Sequence, residues 1–371
     1  MRMSASQFDL KFERVSMTLR RGGSIMIRDA KGQAALIRAA EFSDITPERL
    51  EKIATDSEVL CLTKRHIIAF GRTASDKLNC FTLPAETFND GQITALILGD
   101  GTLLPSDANI LGERKNSLPD MACQLLRAVR LIPAALLSRI SLRNQQQQAR
   151  LAENLQIPVL DLHELTNLTE DTEPEMSISI TSTLPLANAP NSKIVMFRQP
   201  TNREEHFAII VGELSPQEPP LVRLHSQCVT GDILGSLKCD CGPQLQAALI
   251  QMQNAGGGIL LYLAQEGRDI GLLNKIRAYA LQDAGLDTVD ANHRLGFETD
   301  ERVFSPAAAM LKALNVSTIK LMTNNPDKLN QLGKYGISID QRIGLSLPTN
   351  PHNQSYVDTK KARIGHFKDP N

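Results

Sequence analysis

Three of the six cysteines in this chain fall in one short run, Cys228-Val-Thr-Gly-Asp-Ile-Leu-Gly-Ser-Leu-Lys-Cys239-Asp-Cys241-Gly. The other three, Cys61, Cys80 and Cys123, stand singly. Nothing marks the chain for an oxidising compartment, so the cluster reads as metal ligands before it reads as disulfides. Three thiolates without an obvious fourth ligand suit a tetrahedral zinc with one open position, the arrangement of a catalytic site. Two plainer readings stand beside it: a structural zinc completed elsewhere, by His225 for example, or no metal at all.

Other residues could act with such a centre. Gln265-Glu266-Gly267-Arg268-Asp269 lies between an apolar run and a helical pattern, where α/β proteins bind ligands. Glu266 could accept from a purine-like ring edge, and Arg268 could hold a phosphate bidentately. Thr323-Asn-Asn-Pro-Asp-Lys328 is a second such turn, offering free N–H groups and a lysine to an anion. Phe297-Glu-Thr-Asp-Glu-Arg302 gathers three acids and an arginine. An acid beside an activated water can take its proton, and an arginine can clamp a phosphoryl group. Taken singly, each stretch also reads as a solvated loop or an ordinary helix cap. Tyr279 shares a helical spacing with Leu272, Ile276 and Ala280, which predicts a core tyrosine whose hydroxyl needs a partner.

The elements that must hold these residues follow from periodicity. In the second half, strands are predicted at Leu221–Leu224, Gly258–Leu263 and Thr318–Met322. Helices are predicted at Gln244–Asn254 and Leu272–Asp283, with further ones capped at Ser305-Pro306 and started by Asn325-Pro326. In the first half, strands are predicted at Ser24–Ile27, Val59–Thr63, Ile67–Phe70 and Ile157–Leu160. Helices are predicted at Pro47–Thr55 (capped by Thr46), Met121–Val129 and Gln145–Gln156. The polar stretch from 171 to 192 reads as a linker with a short strand at Met176–Ile180. The fold class is α/β (α+β): two domains, 1–170 and 193–371, each a mixed sheet with packed helices.

Bulk properties narrow the function. The chain has 371 residues, 42% of them hydrophobic, enough for two conventional cores. A net charge of -1 provides no field for nucleic acid or an acidic membrane, so an anion site must be built locally. The first ten residues lack a signal peptide's apolar core, and no uncharged apolar run reaches the ~18 residues of a membrane span. A soluble cytoplasmic protein is the expectation.

Order and spacing together carry a resemblance. From Arg223 to about residue 366 the chain resembles GTP cyclohydrolase II, the first committed enzyme of riboflavin synthesis. The similarity rests on Val222-Arg-Leu-His-Ser-Gln-Cys-Val-Thr-Gly-Asp232, Cys239-Asp-Cys-Gly-Pro-Gln244, Gln265-Glu-Gly-Arg268 and Gly271-Leu-Leu-Asn-Lys-Ile-Arg-Ala-Tyr-Ala-Leu-Gln282. It continues through Asp287-Thr-Val-Asp-Ala-Asn292, Leu295-Gly-Phe, Asp300-Glu-Arg302 and Leu321-Met-Thr-Asn-Asn-Pro326. The resemblance implies hydrolysis of GTP to formate, pyrophosphate and a diaminopyrimidine riboside monophosphate. It implies that Cys228, Cys239 and Cys241 hold a zinc that activates water for attack at C8. Asp300 would be the general base, and Tyr279 would sit beside the C8 chemistry. Arg302 would act at the α-phosphate, as a charge clamp in preference to a covalent nucleophile, because a guanidinium has no lone pair to offer. Arg223, Leu224, His225, Ser226, Gln227, Gln244, Glu266, Gly267, Arg268, Thr288, Thr323 and Lys328 would contact GTP, with magnesium on its phosphates. A homodimer is also implied. One departure is plain: the family usually has Glu where this chain has Gln227. A GTP-binding regulator without turnover is the alternative, and the presence of Tyr279, Asp300 and Arg302 argues against it.

Residues about 12 to 170 resemble a degenerate dihydroxybutanone phosphate synthase, in the opening Arg20-Arg-Gly-Gly-Ser-Ile-Met-Ile-Arg-Asp29 and the ending Ile157-Pro-Val-Leu-Asp-Leu-His-Glu-Leu. That family's acid-rich magnesium loop is replaced by Asp29-Ala-Lys-Gly-Gln-Ala-Ala-Leu-Ile37, and its Gly-His-Thr motif is missing. Magnesium needs clustered oxygen ligands, so this domain is expected to lack synthase activity and to serve folding, dimerisation or regulation.

Overall fold

A computed structural model describes residues 5–43, 57–89, 91–101, 103–142, 144–169, 173–199, 204–345, 347–363, 365 and 367. The helix expected at Pro47–Thr55, with its Thr46 cap, lies outside the described residues. The chain divides into two compact units. One comprises residues 1–170 together with 273–300, and the other 171–272 together with 301–371.

The first unit is built on seven strands: β1 (Ile25–Arg28), β2 (Ala34–Ala39), β3 (Val59–Thr63), β4 (Cys80–Pro84), β5 (Leu111–Glu113), β6 (Ala134–Ile140) and β7 (Val159–Asp161). Their order is β5-β4-β3-β6-β2-β1-β7, antiparallel except for the β1–β7 pair. Every residue of β2 is buried, so both faces of the sheet are covered. Helix Leu118–Ala128 supplies much of one face. Ser117 caps it, accepting from the Asp120 amide, and Leu118, Met121, Ala122, Leu125 and Leu126 enter the core with Val15 and Leu19. Those last two lie on helix Ala5–Arg20, a stretch whose sequence reads only as a polar segment.

One expected strand is a helix. Residues Lys64–Ala69 are helical, and Thr63 accepts from the His66 amide as N-cap. The run Ile67-Ile68-Ala69 is too short for apolarity to separate strand from helix. Burial decides it, since His66 and Ile67 are buried while Ile68 faces out.

The second unit has a sheet of β8 (Ser177–Thr183), β9 (Ser192–Arg198), β10 (Phe207–Gly212), β11 (Leu221–Ser226), β12 (Gly257–Leu263), β13 (Thr318–Met322) and β14 (Ser338–Ile343). The order is β14-β13-β11-β12-β10-β9-β8. The four strands from β14 to β12 run parallel, and the remaining pairs are antiparallel. Strand β8 falls in the stretch read as a linker; it is an edge strand exposed along its whole length. Helix Cys241–Asn254 covers one face through Ala248, Leu249 and Met252. Helices Ser305–Ala313 and Pro326–Lys334 cover the other, where Val222, Leu224, Ile259 and Leu261 join Ala308, Leu311 and Leu332. Phe304 holds the N-cap position of the former, so Ser305 and Pro306 lie inside the first turn and do not cap it.

From β11 the chain returns through helix Cys241–Asn254 to β12 on one side; β13 lies on the other. The direction of winding therefore reverses at β11, and ligands bind at the carboxyl ends of strands at such a reversal. No helix among the described residues is long and apolar enough to cross a membrane.

Candidate active site

Alternation along β11 selects the side chains aimed at the reversal. Val222 and Leu224 enter one core, while Leu221, Arg223 and His225 face the layer containing helix Cys241–Asn254. Arg223 is buried there. Its Nη2 donates to Gln244 Oε1 at 2.6 Å and its Nη1 to the Met322 carbonyl at 3.2 Å, while Nε has no hydrogen-bond partner. Burial lowers its pKa to about 10, opposed by the charges of Asp240 and Cys241. A cation kept ionised with an unfilled donor is suited to an anionic or carbonyl-bearing ligand.

Beyond β11 the backbone enters a π-helical turn, Val229–Ile233, with Cys228 in the N-cap position. Such turns are rare and favour functional sites. Asp232 organises this one. Its carboxylate accepts from the Cys228 amide at 3.0 Å and the Tyr262 hydroxyl at 2.9 Å, and His225 Nε2 lies 3.0 Å from both its oxygens. Tyr262 stacks on His225, because β11 and β12 pair His225 with Tyr262 in register. Burial, then Asp232, raises the Tyr262 pKa; burial lowers that of His225 against the pull of Asp232. His225 Nε2 is therefore engaged by Asp232, and among the described residues the candidate metal group consists of the three cysteines.

The sulfurs of Cys228, Cys239 and Cys241 lie within 4.8 Å of one another, with Cys228 and Cys239 3.6 Å apart. Gly231 makes this approach possible, since a Cβ there would stand 2.6 Å from Cys239 Sγ. Gly242 has no more room, its would-be Cβ being 2.3 Å from the Gly231 carbonyl oxygen. Cys241 opens helix Cys241–Asn254, and the positive end of a helix favours a thiolate. Without a cation, Cys228 pushes the Cys239 thiol up. The cluster thus fits a thiophilic cation such as zinc.

Two more turns close on the same strand ends. After β12, Glu266 is buried and its carboxylate accepts from Val229 N at 2.7 Å and Gly267 N at 3.1 Å. Gly267, Arg268 and Asp269 all adopt positive φ, between 59° and 75°, a costly run for two side-chain-bearing residues. Arg268 lies 5.8 Å from the Tyr356 ring. After β13, the Thr323 hydroxyl accepts from Asn325 N at 3.0 Å, and Asn325 caps helix Pro326–Lys334. Lys328 Nζ donates to the Leu224 carbonyl at 2.7 Å, bracing β11 from behind. Arg302 Nη1 donates to Ser226 Oγ at 3.3 Å, and Ser226 Oγ in turn donates to Gln265 Oε1 at 3.2 Å. The backbone of Gln227 donates to Leu263 O at 2.8 Å.

The second unit thus gathers Arg223 to Cys228, Gln244, Glu266 to Arg268, Arg302, Thr323 and Lys328 on three consecutive strand ends and their helices. The matching residues extend well beyond the motif itself. Residues 177–344 match the family model described as GTP cyclohydrolase II. A GTP cyclohydrolase-2 of Azospirillum brasilense is 37% identical over 367 residues, covering 96% of this chain and 93% of the relative. The chain belongs to the GTP cyclohydrolase II family. The GTP cyclohydrolase-2 of Enterobacter sp. (strain 638) is 54% identical over 174 residues, 47% of this chain and 89% of the relative. A riboflavin biosynthesis protein RibBA of Cytophaga hutchinsonii is 32% identical, covering 94% of this chain and 95% of its own.

Three expected cyclohydrolase residues are carried by the first unit. Tyr279 is half-buried, with Lys275 Nζ 5.8 Å from its ring. Thr288 begins helix Thr288–Arg294, capped by Asp287, and Asp300 ends the same segment. The expected core face of helix Leu272–Asp283 is corrected: Leu272, Leu273 and Ile276 are exposed, and Asn274, Lys275, Ala278 and Leu281 are buried. Asn274 on that face donates to the Arg130 carbonyl at 2.9 Å, so polar side chains enter it and amphipathic spacing misreads it. Asp232 and Tyr262 are not singled out by sequence. Their roles depend on strand register, although Asp232 lies inside the cysteine motif.

Proposed function

We propose that this chain hydrolyses GTP to formate, pyrophosphate and 2,5-diamino-6-(5-phosphoribosylamino)pyrimidin-4-one, the first committed step of riboflavin biosynthesis, and that it works as a cytoplasmic homodimer. The observation that carries the reading is the trio of thiols at the end of β11, within hydrogen-bonded reach of the Glu266 loop through Val229. Cys228, Cys239 and Cys241 would hold zinc, which when bound supplies a Lewis acid that activates water.

The remaining steps belong to the protein's own groups. The Glu266 carboxylate would accept from the N1–H and 2-amino donors of guanine. Asp300 takes the proton of the water attacking C8, and Tyr279 assists ring opening and loss of formate. Arg302, whose Nη1 donates to the Ser226 hydroxyl at 3.3 Å, would clamp the charge that develops at the α-phosphate as pyrophosphate leaves. Arg223, His225, Ser226, Gln227, Gln244, Arg268, Thr288, Thr323 and Lys328, with the Leu224 and Gly267 backbones, orient the nucleotide, and magnesium accompanies its phosphates. The first domain is proposed to lack dihydroxybutanone phosphate synthase activity.

One preparation tests both parts. Purified protein with GTP and magnesium is expected to release formate and pyrophosphate, and a zinc chelator to stop both; absence of both products from zinc-loaded protein would refute the assignment. The same protein given ribulose 5-phosphate is expected to form no dihydroxybutanone phosphate.

A further inference from the structure

Tyr279, Thr288 and Asp300 lie, by sequence, within the stretch matched to the cyclohydrolase family, yet their segment packs as part of the first unit. Its attachments there are specific. Thr63 Oγ1 donates to the Gly296 carbonyl at 2.8 Å, and Arg65 Nε donates to Glu298 Oε2 at 2.6 Å. The His66 ring lies flush on Gly296, where a Cβ would stand 2.0 Å from its Cε1. On the helix bearing Tyr279, Asn274 Nδ2 donates to the Arg130 carbonyl at 2.9 Å, and Arg277 pairs at 2.7 Å with the buried Glu41.

Internal bonds extend this grip to the residues just before Asp300. Asn292 Nδ2 reaches the carbonyls of Glu298 and Thr299 at 3.5 Å each, and His293 Nε2 meets Thr299 Oγ1 at 3.1 Å. Little slack remains across the two residues from Glu298 to Asp300. The Arg65–Glu298 pair is about one-third exposed on each side, so its effect on stability is small. Its effect on where Asp300 sits is the larger one, because a misplacement of about 1 Å can cost roughly a hundredfold in rate.

We propose that the first domain is a positioning scaffold for GTP hydrolysis, with Arg65, through Glu298, fixing the setting of Asp300. This rests on the assignment of Asp300 as general base made above. It gives the first unit a defined task in GTP hydrolysis.

The test uses the full chain carrying Arg65→Glu, Glu298→Arg, or both, with Asp300→Asn as control. Each single variant is expected to lower kcat about tenfold, to leave KM for GTP within about twofold, and to retain zinc and Tm. Amide exchange over residues 296–300 is expected to quicken in both. The double variant is expected to restore most of kcat and slow the exchange, which no general loss of packing would do; Arg65→Gln should fall between wild type and Arg65→Glu. Unchanged kcat in both single variants, or no recovery in the double, overturns the scaffold while an inactive Asp300→Asn leaves the catalytic assignment standing. An active Asp300→Asn overturns the catalytic assignment and the scaffold with it.

Discussion

Gly231 shows how little freedom the sulfur cluster allows. A methyl group at this position would press on Cys239 Sγ at 2.6 Å and on Cys228 Sγ at 3.1 Å, so Gly231→Ala must spread the thiols or shift the turn. Zinc per chain, read by elemental analysis after dialysis, is expected to fall severalfold with helix content unchanged; full occupancy would mean that the cation binds elsewhere. The cysteines, Glu266 and Arg302 stand out in the sequence because each lies in a short motif whose residue types suit chemistry, whereas Arg223 enters only through the family resemblance. Asp232 and Tyr262 do not stand out. Thirty positions separate them, and only the pairing of β11 with β12 makes them neighbours. Gln227 stands out in the sequence as a departure, and its backbone bond to Leu263 is independent of which side chain it carries.

At the scale of elements, β11, β12 and β13 of the second sheet are readable as short, largely apolar runs, whereas β14, Ser-Ile-Asp-Gln-Arg-Ile, is mostly polar and is not. Strand Val59–Thr63 in the first unit is legible to the residue. Helix Lys64–Ala69 is not, because its two isoleucines fit either element and its cap, Thr63, is also the last residue of a strand. That helix bears a titratable group without a water contact. Burial, with the nearby charges of Arg294 and Arg127, lowers the His66 pKa from 6.5 to about 3. Between those values the unfolded chain binds a proton that the folded chain refuses, so stability falls as pH drops from about 6.5 toward 3, by about 1.4 kcal/mol per pH unit. Denaturant titrations at pH 7 and pH 5 are expected to show this slope, and His66→Gln to flatten it; equal slopes would mean that His66 titrates normally.

At the scale of the whole molecule, two α/β bodies with mixed sheets are foreseeable from alternating elements, but the path of the chain between them is not. Family resemblance runs unbroken from residue 177 to 344, whereas the compact units change hands at 170, 272 and 300. Amphipathic spacing could not reveal this, because the buried face of helix Leu272–Asp283 is partly polar. A unit made from two separated stretches has a consequence for folding. On the ribosome, the first 170 residues emerge without helices Leu272–Asp283 and Thr288–Arg294, and must wait for about a hundred further residues before the unit can close. The chain crosses between the two bodies three times, so each is covalently tied to the other at several points. Probes placed in the two sheets are expected to report coincident unfolding transitions, and removal of zinc to lower both together. Two well-separated transitions would show that the chain's return to the first body is only loosely held.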